Sequence, residues 1–268
     1  MSEKPAMAHM ISEKYDAVQH FLFSSEADYA DRIGRIHYPL AIISAYLLIV
    51  KVLGPLIMKP LKPFKLNGLL IAFNVTIVLW NAYLSFSFFR HLYDVVKEGR
   101  LCSVNASTDE YSNNMYRIIW SYYMSKYVDL LDTCFFVLRK KQRQVSFLHV
   151  FHHSSIIIIA WGVIGTKSAA HYSCVAAGLN SFVHVCTYSY YALSACGDKM
   201  QDIINSKKKY LTFLQVLQFW IILAYIMWSK LSGCEVINAW NMVIIVFLFI
   251  LMLLFADFYS KNYRKKKE

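Results

Sequence analysis

The sequence predicts an all-α membrane protein that crosses the bilayer seven times, and three observations lead to that prediction. Apolar residues make up 57% of the 268 residues. They are concentrated in seven runs, each long enough to cross a hydrocarbon core of about 30 Å as a helix. Most lysines and arginines lie between these runs or at the C-terminus. The net charge of +11 therefore indicates membrane topology, and no nucleic-acid partner is expected.

The seven runs form one transmembrane domain with a polar segment at each end. We expect a lumenal tail over residues 1–36, a seven-helix transmembrane domain over residues 37–260 and a basic cytosolic tail over residues 261–268. The predicted spans are 39–58, 68–89, 115–138, 147–165, 169–196, 210–229 and 238–259.

The distribution of basic residues predicts which side of the membrane each loop faces. Loops 59–67, 139–146 and 197–209 and the tail 260–268 together carry 16 Lys and Arg, whereas the opposite side carries 9. Because loops rich in Lys and Arg stay in the cytosol, the C-terminus is expected there and the N-terminus in the lumen. The final Lys-Lys-Lys-Glu is either a retrieval signal for the endoplasmic reticulum or a positive anchor. The membrane of the endoplasmic reticulum is the expected location.

Two features of the predicted lumenal loops fit that orientation. Asn105 begins an Asn-Ala-Ser sequon and is a candidate for N-glycosylation. Cys102 and Cys234 both fall in lumenal loops, where the oxidising environment permits a disulfide between them.

Polar residues in four of the spans lie at a common depth. With a rise of about 1.5 Å per residue, His152 lies about 8 Å from the cytosolic end of its helix and Asp132 about 9 Å from the end of its own. Gln215 and Gln218 lie about 8 and 12 Å from the cytosolic end of the sixth span, and Tyr188 and His184 about 12 and 18 Å from that of the fifth. This agreement in depth predicts a single site in the cytosolic half of the membrane.

The third and fourth spans carry the strongest candidates. His149, His152 and His153 are spaced i, i+3, i+4 and share one helix face. Lys126 and Asp129 can form an ion pair, because an intramembrane lysine needs a counter-charge. Asp132 is then free to orient a histidine. For the remaining polar groups two interpretations stay open, since glutamines also join helices and tyrosines also form interfacial belts.

Two kinds of chemistry are compatible with the histidines. A di-iron desaturase or hydroxylase also contains HxxHH, but only His149, His152, His153 and His184 share the cytosolic layer here. Adjacent His152 and His153 also point about 100° apart on a helix, which is awkward for a single ion, so no metal is expected. Alternatively, a neutral imidazole can attack a thioester while a second histidine serves as base. A receptor or transporter is disfavoured by the polar layer near the cytosol.

Four motifs in this region resemble those of the elongases of very long chain fatty acids. Residues 126–133 are similar to the KxxExxDT box, and residues 149–153 match HxxHH. Residues 180–191 are similar to NxxxHxxMYxYY, and residues 212–218 match TxxQxxQ. The boxes occur in the family's order, and the resemblance covers residues 53 to 263. Asp129 replaces the usual Glu, Thr187 replaces the usual Met, and no proline follows the histidine box.

The resemblance implies a 3-oxoacyl-CoA synthase that condenses an acyl-CoA with malonyl-CoA and releases carbon dioxide and CoA. It implies six helices in a barrel around an acyl-chain tunnel that is closed at the lumenal end. The candidates for closing it are the start of the fifth span, Trp228 at the end of the sixth and Trp240 at the start of the seventh. His152 would carry the acyl group and His184 would assist decarboxylation, supported by His149, His153 and Asp132. No cofactor is implied.

The expected partners are acyl-CoA, malonyl-CoA, membrane lipid, a second copy of the chain, and the reductase and dehydratase of the elongation cycle. A catalytically inactive family member remains an alternative. The expected substrate-binding residues are Lys126, Asp129, Asn180, Tyr188, Gln215, Gln218, Lys208 and Arg139.

Overall fold

The computed structural model describes residues 35–99, 109–165, 171–233 and 239–263. Across these ranges the chain forms nine α-helices and no strand, which confirms the all-α prediction. The helix α1 contains a π-helical turn at Ile49–Leu53. The helices are α1 His37–Met58, α2 Asn67–Lys97, α3 Asp109–Asp129, α4 Leu131–Leu138, α5 Phe147–Gly165, α6 His171–Ala195, α7 Asp198–Asn205, α8 Lys208–Leu231 and α9 Ala239–Tyr263.

The helices include several that can cross a bilayer, so the chain is a multi-pass membrane protein. Among the described residues, five helices (α1, α2, α5, α8 and α9) are long and apolar enough. The other two predicted spans fall on α3 with α4 and on α6, whose charged, amide and tyrosine side chains lower their hydropathy. The count of seven crossings and the orientation of the termini stay predictions.

The third predicted span is divided into two helices, which differs from the single helix expected over 115–138. The peptide N–H of Leu130 bonds to the carbonyl of Tyr127 at 3.2 Å, and that of Thr133 bonds to the carbonyl of Leu130 at 3.2 Å. Bonds between residues three apart tighten the chain into a short turn. Asp132 and Thr133 therefore lie in the first turn of α4, directly after this tight turn.

Six long helices contact one another in a closed ring, which is called the closed packing order below. Contacts run from α2 to α6, α6 to α8, α8 to α9, α9 to α5, α5 to α3, and α3 back to α2. The helix α1 packs outside this order, against α4 and α5, and α7 packs on α6. One apolar cluster contains residues from each of the helices α1 through α6. A second contains residues of α5, α6, α8 and α9.

The contact between α2 and α6 depends on a small residue. The hydroxyl of Ser85 donates to the carbonyl of Gly178 at 3.1 Å. A Cβ at Gly178 would lie 3.2 Å from the Cβ of Phe88, which is tighter than ordinary van der Waals contact. Glycine therefore allows the two backbones to approach closely.

Several predicted features lie outside the described residues. These are most of the N-terminal tail, Cys102, Asn105, Cys234 and the last five residues. The glycosylation site, the disulfide and the retrieval signal stay predictions. Of the cysteines that the structure describes, Cys134, Cys186 and Cys196 are free thiols, and the thiol of Cys174 donates to Sδ of Met115 at 3.7 Å.

We predict that Gly178→Leu destabilises the protein by about 1–3 kcal/mol, because the added side chain overpacks the α2–α6 contact. The midpoint of thermal unfolding in detergent should fall by several degrees. Gly68→Leu is the matched control, since nothing lies within 4 Å of a Cβ at that exposed position of α2. Equal midpoints for the two variants would contradict the proposed close packing.

Candidate active site

The three histidines of α5 lie together near the start of that helix. Ser146 precedes the helix, and its Oγ accepts a hydrogen bond from the peptide N–H of His149 at 3.2 Å. The ring centroids of His149 and His153 are 4.4 Å apart, and those of His152 and His153 are 5.4 Å apart. The spacing along the sequence therefore does bring the three imidazoles into one cluster.

A buried ion pair lies on α3. The ammonium of Lys126 is 2.9 Å from Oδ2 of Asp129, as the spacing predicts, and the two side chains are 1% and 0% exposed. Asn180 on α6 accepts from the hydroxyl of Tyr122 at 2.9 Å and from Lys126 at 3.4 Å. The ring of Tyr122 also lies 4.8 Å from the ammonium. The ammonium of Lys126 therefore has several partners, as a buried charge requires, whereas Oδ2 of Asp129 has the ion pair but accepts no hydrogen bond from the described residues.

The carboxylates pair differently from the expectation. Asp132 accepts a hydrogen bond from Tyr188 of α6 rather than contacting a histidine. The carboxylate near a histidine is Asp129, whose Oδ2 is 3.6 Å from Nδ1 of His184. Tyr188 also donates to Oδ1 of Asp129 at 3.3 Å. The two carboxylates therefore converge on one hydroxyl, that of Tyr188, and only Asp129 also lies near a histidine.

Tyr188 is therefore part of the polar network. Its side chain is 2% exposed, which is incompatible with an interfacial aromatic belt. Tyr191, whose ring centroid is 5.8 Å from that of Tyr188, is the more exposed of the two.

Several polar atoms in this region are buried without a hydrogen bond from the described parts of the chain. They are Nδ1 of His152, His153 and His184, Oδ2 of Asp129, and Oε1 of Gln218. A buried polar atom without a partner costs about 1–3 kcal/mol, so native proteins keep few of them. Their concentration near the histidine cluster indicates a site that binds polar groups of a ligand.

A partly open cavity adjoins this site, with about 800 Å³ of empty space including its open mouth. The lining residues that carry polar side chains near the site are His152 on α5, Asn180 on α6 and Gln218 on α8. His152 on α5 and Gln218 on α8 come first among the residues of their helices that line the cavity, and Asn180 comes last on α6, where Ser173 lines the other end. Because helices joined by short connections run in opposite directions, His152, Asn180 and Gln218 lie at the same end. The rest of the wall is almost entirely apolar, including Ile156, Ile159, Val163, Ile222, Ile226, Phe247 and Leu248.

The opposite end of the cavity lies near Val163 and Ile244. One turn before Ile244, the ring of Trp240 lies so close to Gly162 that a Cβ there would be 1.8 Å from the indole. Trp240 also packs edge-on against Trp161, with ring centroids 6.3 Å apart. Neither Trp240 nor Trp228 is itself part of the cavity wall, and Trp228 is 45% exposed, so which residues close the cavity stays a prediction.

The other predicted binding residues lie around the site. Gln215 is half-buried one turn before Gln218 and does not line the cavity. Lys208 is exposed at the start of α8, and Arg139 is half-buried directly after α4. The structure brings neither basic residue into contact with the cavity wall.

Among the described residues there is no group of three or more potential ligands that could hold a metal ion. Catalysis without a metal stays a prediction.

Two contacts of the site were not predicted from the sequence. Thr133 is the last residue of the KxxExxDT-like motif, and its Oγ1 lies 2.9 Å from Nε2 of His149. Tyr46 of α1 lies 2.7 Å from the same hydroxyl. No spacing within one helix links these residues, and a buried tyrosine in the first span resembles any other apolar position in the sequence.

The fold and the site define a multi-pass helical membrane protein with an intramembrane histidine cluster at the head of an apolar cavity. The sequence profile of the GNS1/SUR4 family, ELO, matches residues 33–268. The chain belongs to this family. It is 37% identical over 235 residues to very long chain fatty acid elongase 4 of Homo sapiens, covering 85% of this chain and 72% of that protein. It is 34% identical over 233 residues to very long chain fatty acid elongase 5 of Rattus norvegicus, covering 86% and 76% respectively.

We predict that Lys126→Met destabilises the protein by about 3–5 kcal/mol, because it leaves Asp129 buried without its counter-charge. Thermal unfolding in detergent measures the loss, and the double variant Lys126→Met with Asp129→Asn should recover part of it. Lys261→Met is the control, since Lys261 forms an exposed i, i+4 pair with Asp257 at 2.8 Å. Exposed pairs contribute little, so this variant should unfold close to wild type. Equal losses for the two lysine variants would refute the importance of the buried pair.

Proposed function

We propose that the protein catalyses the condensation of a long-chain or very-long-chain acyl-CoA with malonyl-CoA. The products are a 3-oxoacyl-CoA, carbon dioxide and CoA, which is the first step of fatty-acid elongation. The observation that carries the proposal is the cavity, because an apolar channel headed by His152 suits a substrate with an acyl chain and a reactive polar end. The names of the related elongases support the same reaction.

In the proposed mechanism His152 is the nucleophile. Its imidazole attacks the thioester carbonyl, a nitrogen–carbon bond forms, and the carbon–sulfur bond breaks. The proton of the imidazole leaves with the thiolate, so CoA departs as the free thiol. Decarboxylation of malonyl-CoA then gives an enolate, whose carbon attacks the acyl group on His152. The nitrogen–carbon bond breaks, and the imidazole takes up one proton from solvent.

The neighbouring groups support both half-reactions in this proposal. His184, close to Asp129, donates a hydrogen bond to the developing enolate oxygen. The apolar walls exclude water from the acyl-imidazole, which protects it from hydrolysis. His149 and His153 orient the ring of His152, and Asp132 acts on His184 only through Tyr188, whose ring centroid is 5.5 Å from that of His184. At the mouth, Lys208 and Arg139 attract the phosphates of CoA.

The same proposal extends to the surroundings of the enzyme. The closed packing order of six helices acts as a barrel around the acyl chain, with α1 outside it. We place the protein in the membrane of the endoplasmic reticulum with its C-terminus in the cytosol, where acyl-CoA and malonyl-CoA reach the site. A second copy of the chain and the reductase and dehydratase of the cycle are its proposed partners.

We predict that His152→Ala lowers incorporation of labelled malonyl-CoA into lipid by at least about a hundredfold, because the acyl acceptor is lost. The assay uses microsomes containing the full chain and a panel of acyl-CoAs of graded length. Intact-protein mass spectrometry after incubation with acyl-CoA alone should show an acyl adduct on wild type and none on the variant.

His37→Ala provides the control for this experiment, because His37 lies at the start of α1, away from the cluster. It should retain the activity of wild type. Incorporation that survives His152→Ala at equal protein level would exclude His152 as the nucleophile, and two irons per purified chain would favour desaturation or hydroxylation instead.

We predict that Trp240→Ala shifts the products to longer chains by at least one elongation cycle, because the indole limits the end of the cavity. Mass spectrometry of the products formed from graded acyl-CoAs measures the shift. Trp228→Ala is the control, since its ring is largely outside the packed interior. A product range that is the same for both variants would place the end of the chain elsewhere.

A further inference from the structure

The helix α1 lies outside the closed packing order, yet one of its side chains reaches the histidine cluster. Tyr46 is buried, and its hydroxyl is 2.7 Å from Oγ1 of Thr133 on α4. That oxygen is in turn 2.9 Å from Nε2 of His149 on α5. A continuous chain of hydrogen bonds therefore joins three helices and ends on a ring of the cluster.

The direction of this chain follows from the number of protons available. Each hydroxyl has one proton, so Thr133 donates to only one of its two neighbours. A phenol is a stronger donor than an aliphatic alcohol. Within the part of the chain that the structure describes, Thr133 is the hydrogen-bond partner of the Tyr46 hydroxyl. The arrangement that uses both hydroxyl protons within this chain has Tyr46 donating to Thr133 and Thr133 donating to Nε2 of His149. A neutral histidine whose Nε2 accepts carries its proton on Nδ1.

The orientation of His149 matters because the rings of the cluster touch in series. Its centroid is 4.4 Å from that of His153, and His153 is 5.4 Å from His152. The ring of Phe136, at 5.3 Å, lies against His149 as well. A rotation of His149 would displace His153, which shares its face, and would thereby change the position of His152.

We propose that Tyr46 is a positioning residue, which fixes the rotation and the tautomer of His149 through the hydroxyl of Thr133. The proposal rests on the proposed function, in which His152 is the nucleophile. In this proposal α1, which packs outside the ring of six helices, helps to position a residue of the active site in addition to crossing the membrane. A phenylalanine at position 46 would keep the packing of the ring but release the Thr133 hydroxyl, which could then donate elsewhere.

The test compares single and double variants of the full chain in the microsomal condensation assay. Tyr46→Phe should lower kcat about three- to tenfold, the effect of one lost neutral hydrogen bond, and leave the KM for acyl-CoA unchanged. Thr133→Val should lower kcat at least as much, whereas Thr133→Ser should retain activity. Because Tyr46 acts through Thr133, the double variant Tyr46→Phe with Thr133→Val should be no slower than Thr133→Val alone.

Tyr38→Phe serves as the control, since it removes a tyrosine hydroxyl from the same helix at a side chain that is 53% exposed. It should behave as wild type. The proposal is overturned if Tyr46→Phe retains the wild-type kcat, or if the two losses multiply in the double variant. A fall in kcat that tracks only a lower amount of folded protein would also overturn it.

A second measurement does not depend on turnover. Nitrogen-15 NMR of histidine-labelled wild-type protein in lipid nanodiscs, with His149 assigned by its loss in His149→Gln, reports the tautomer directly. A proton on Nδ1 supports the hydrogen-bond chain, and a proton on Nε2 overturns it. If wild type incorporates no malonyl-CoA, the proposed function fails instead, and this measurement alone decides the arrangement of Tyr46, Thr133 and His149.

Discussion

The burial of Lys126 beside Asp129 is the constraint on which the rest of the site depends. A charge placed in a membrane interior is costly unless protein groups surround it, and a buried pair is stable only when its remaining donors and acceptors are satisfied. The helix α6 supplies those groups, since Asn180 and Tyr188 both bond to the network and His184 lies near Asp129. The packing of α6 against its neighbours is thus required by electrostatics as well as by apolar contact.

The same enclosure creates two environments in one cavity. Near α3 and the start of α5, charges and imidazoles are held close together in a region from which lipid is excluded. Farther along, the walls are formed by aliphatic and aromatic side chains, and the volume there can be filled without loss of hydrogen bonds. A ligand that matched both parts would need a polar head and a long apolar chain. The family's proposed substrates have that form.

The parts of the structure that the sequence predicted are those that depend on spacing within one helix. The helical class, the pairing of Lys126 with Asp129, and the shared face of the three histidines all follow from periodicity. The partner of Asp132 did not follow, because the turn at Leu130 interrupts the periodicity and no glycine or proline marks it. The contact of Tyr46 with Thr133 joins residues 87 positions apart, and the exposure of Trp228 depends on how α8 is rotated in the assembly. Such relations are set by tertiary packing, which spacing along the chain does not encode.

The replacement of the family's usual glutamate by Asp129 acquires a physical meaning in this arrangement. Its carboxylate is shared among three neighbours, with Lys126 at 2.9 Å, Tyr188 at 3.3 Å and His184 at 3.6 Å. The helices α3 and α6 are not neighbours in the packing order, so the side chains of Tyr188 and His184 extend from α6 to meet this short carboxylate. The tight turn at Leu130 comes directly after Asp129 in the chain, so the backbone that carries the Asp129 carboxylate is also constrained. The position of His184 is therefore tied to the length of the side chain at 129. A glutamate there would move the imidazole relative to the head of the cavity while leaving the ion pair with Lys126 intact.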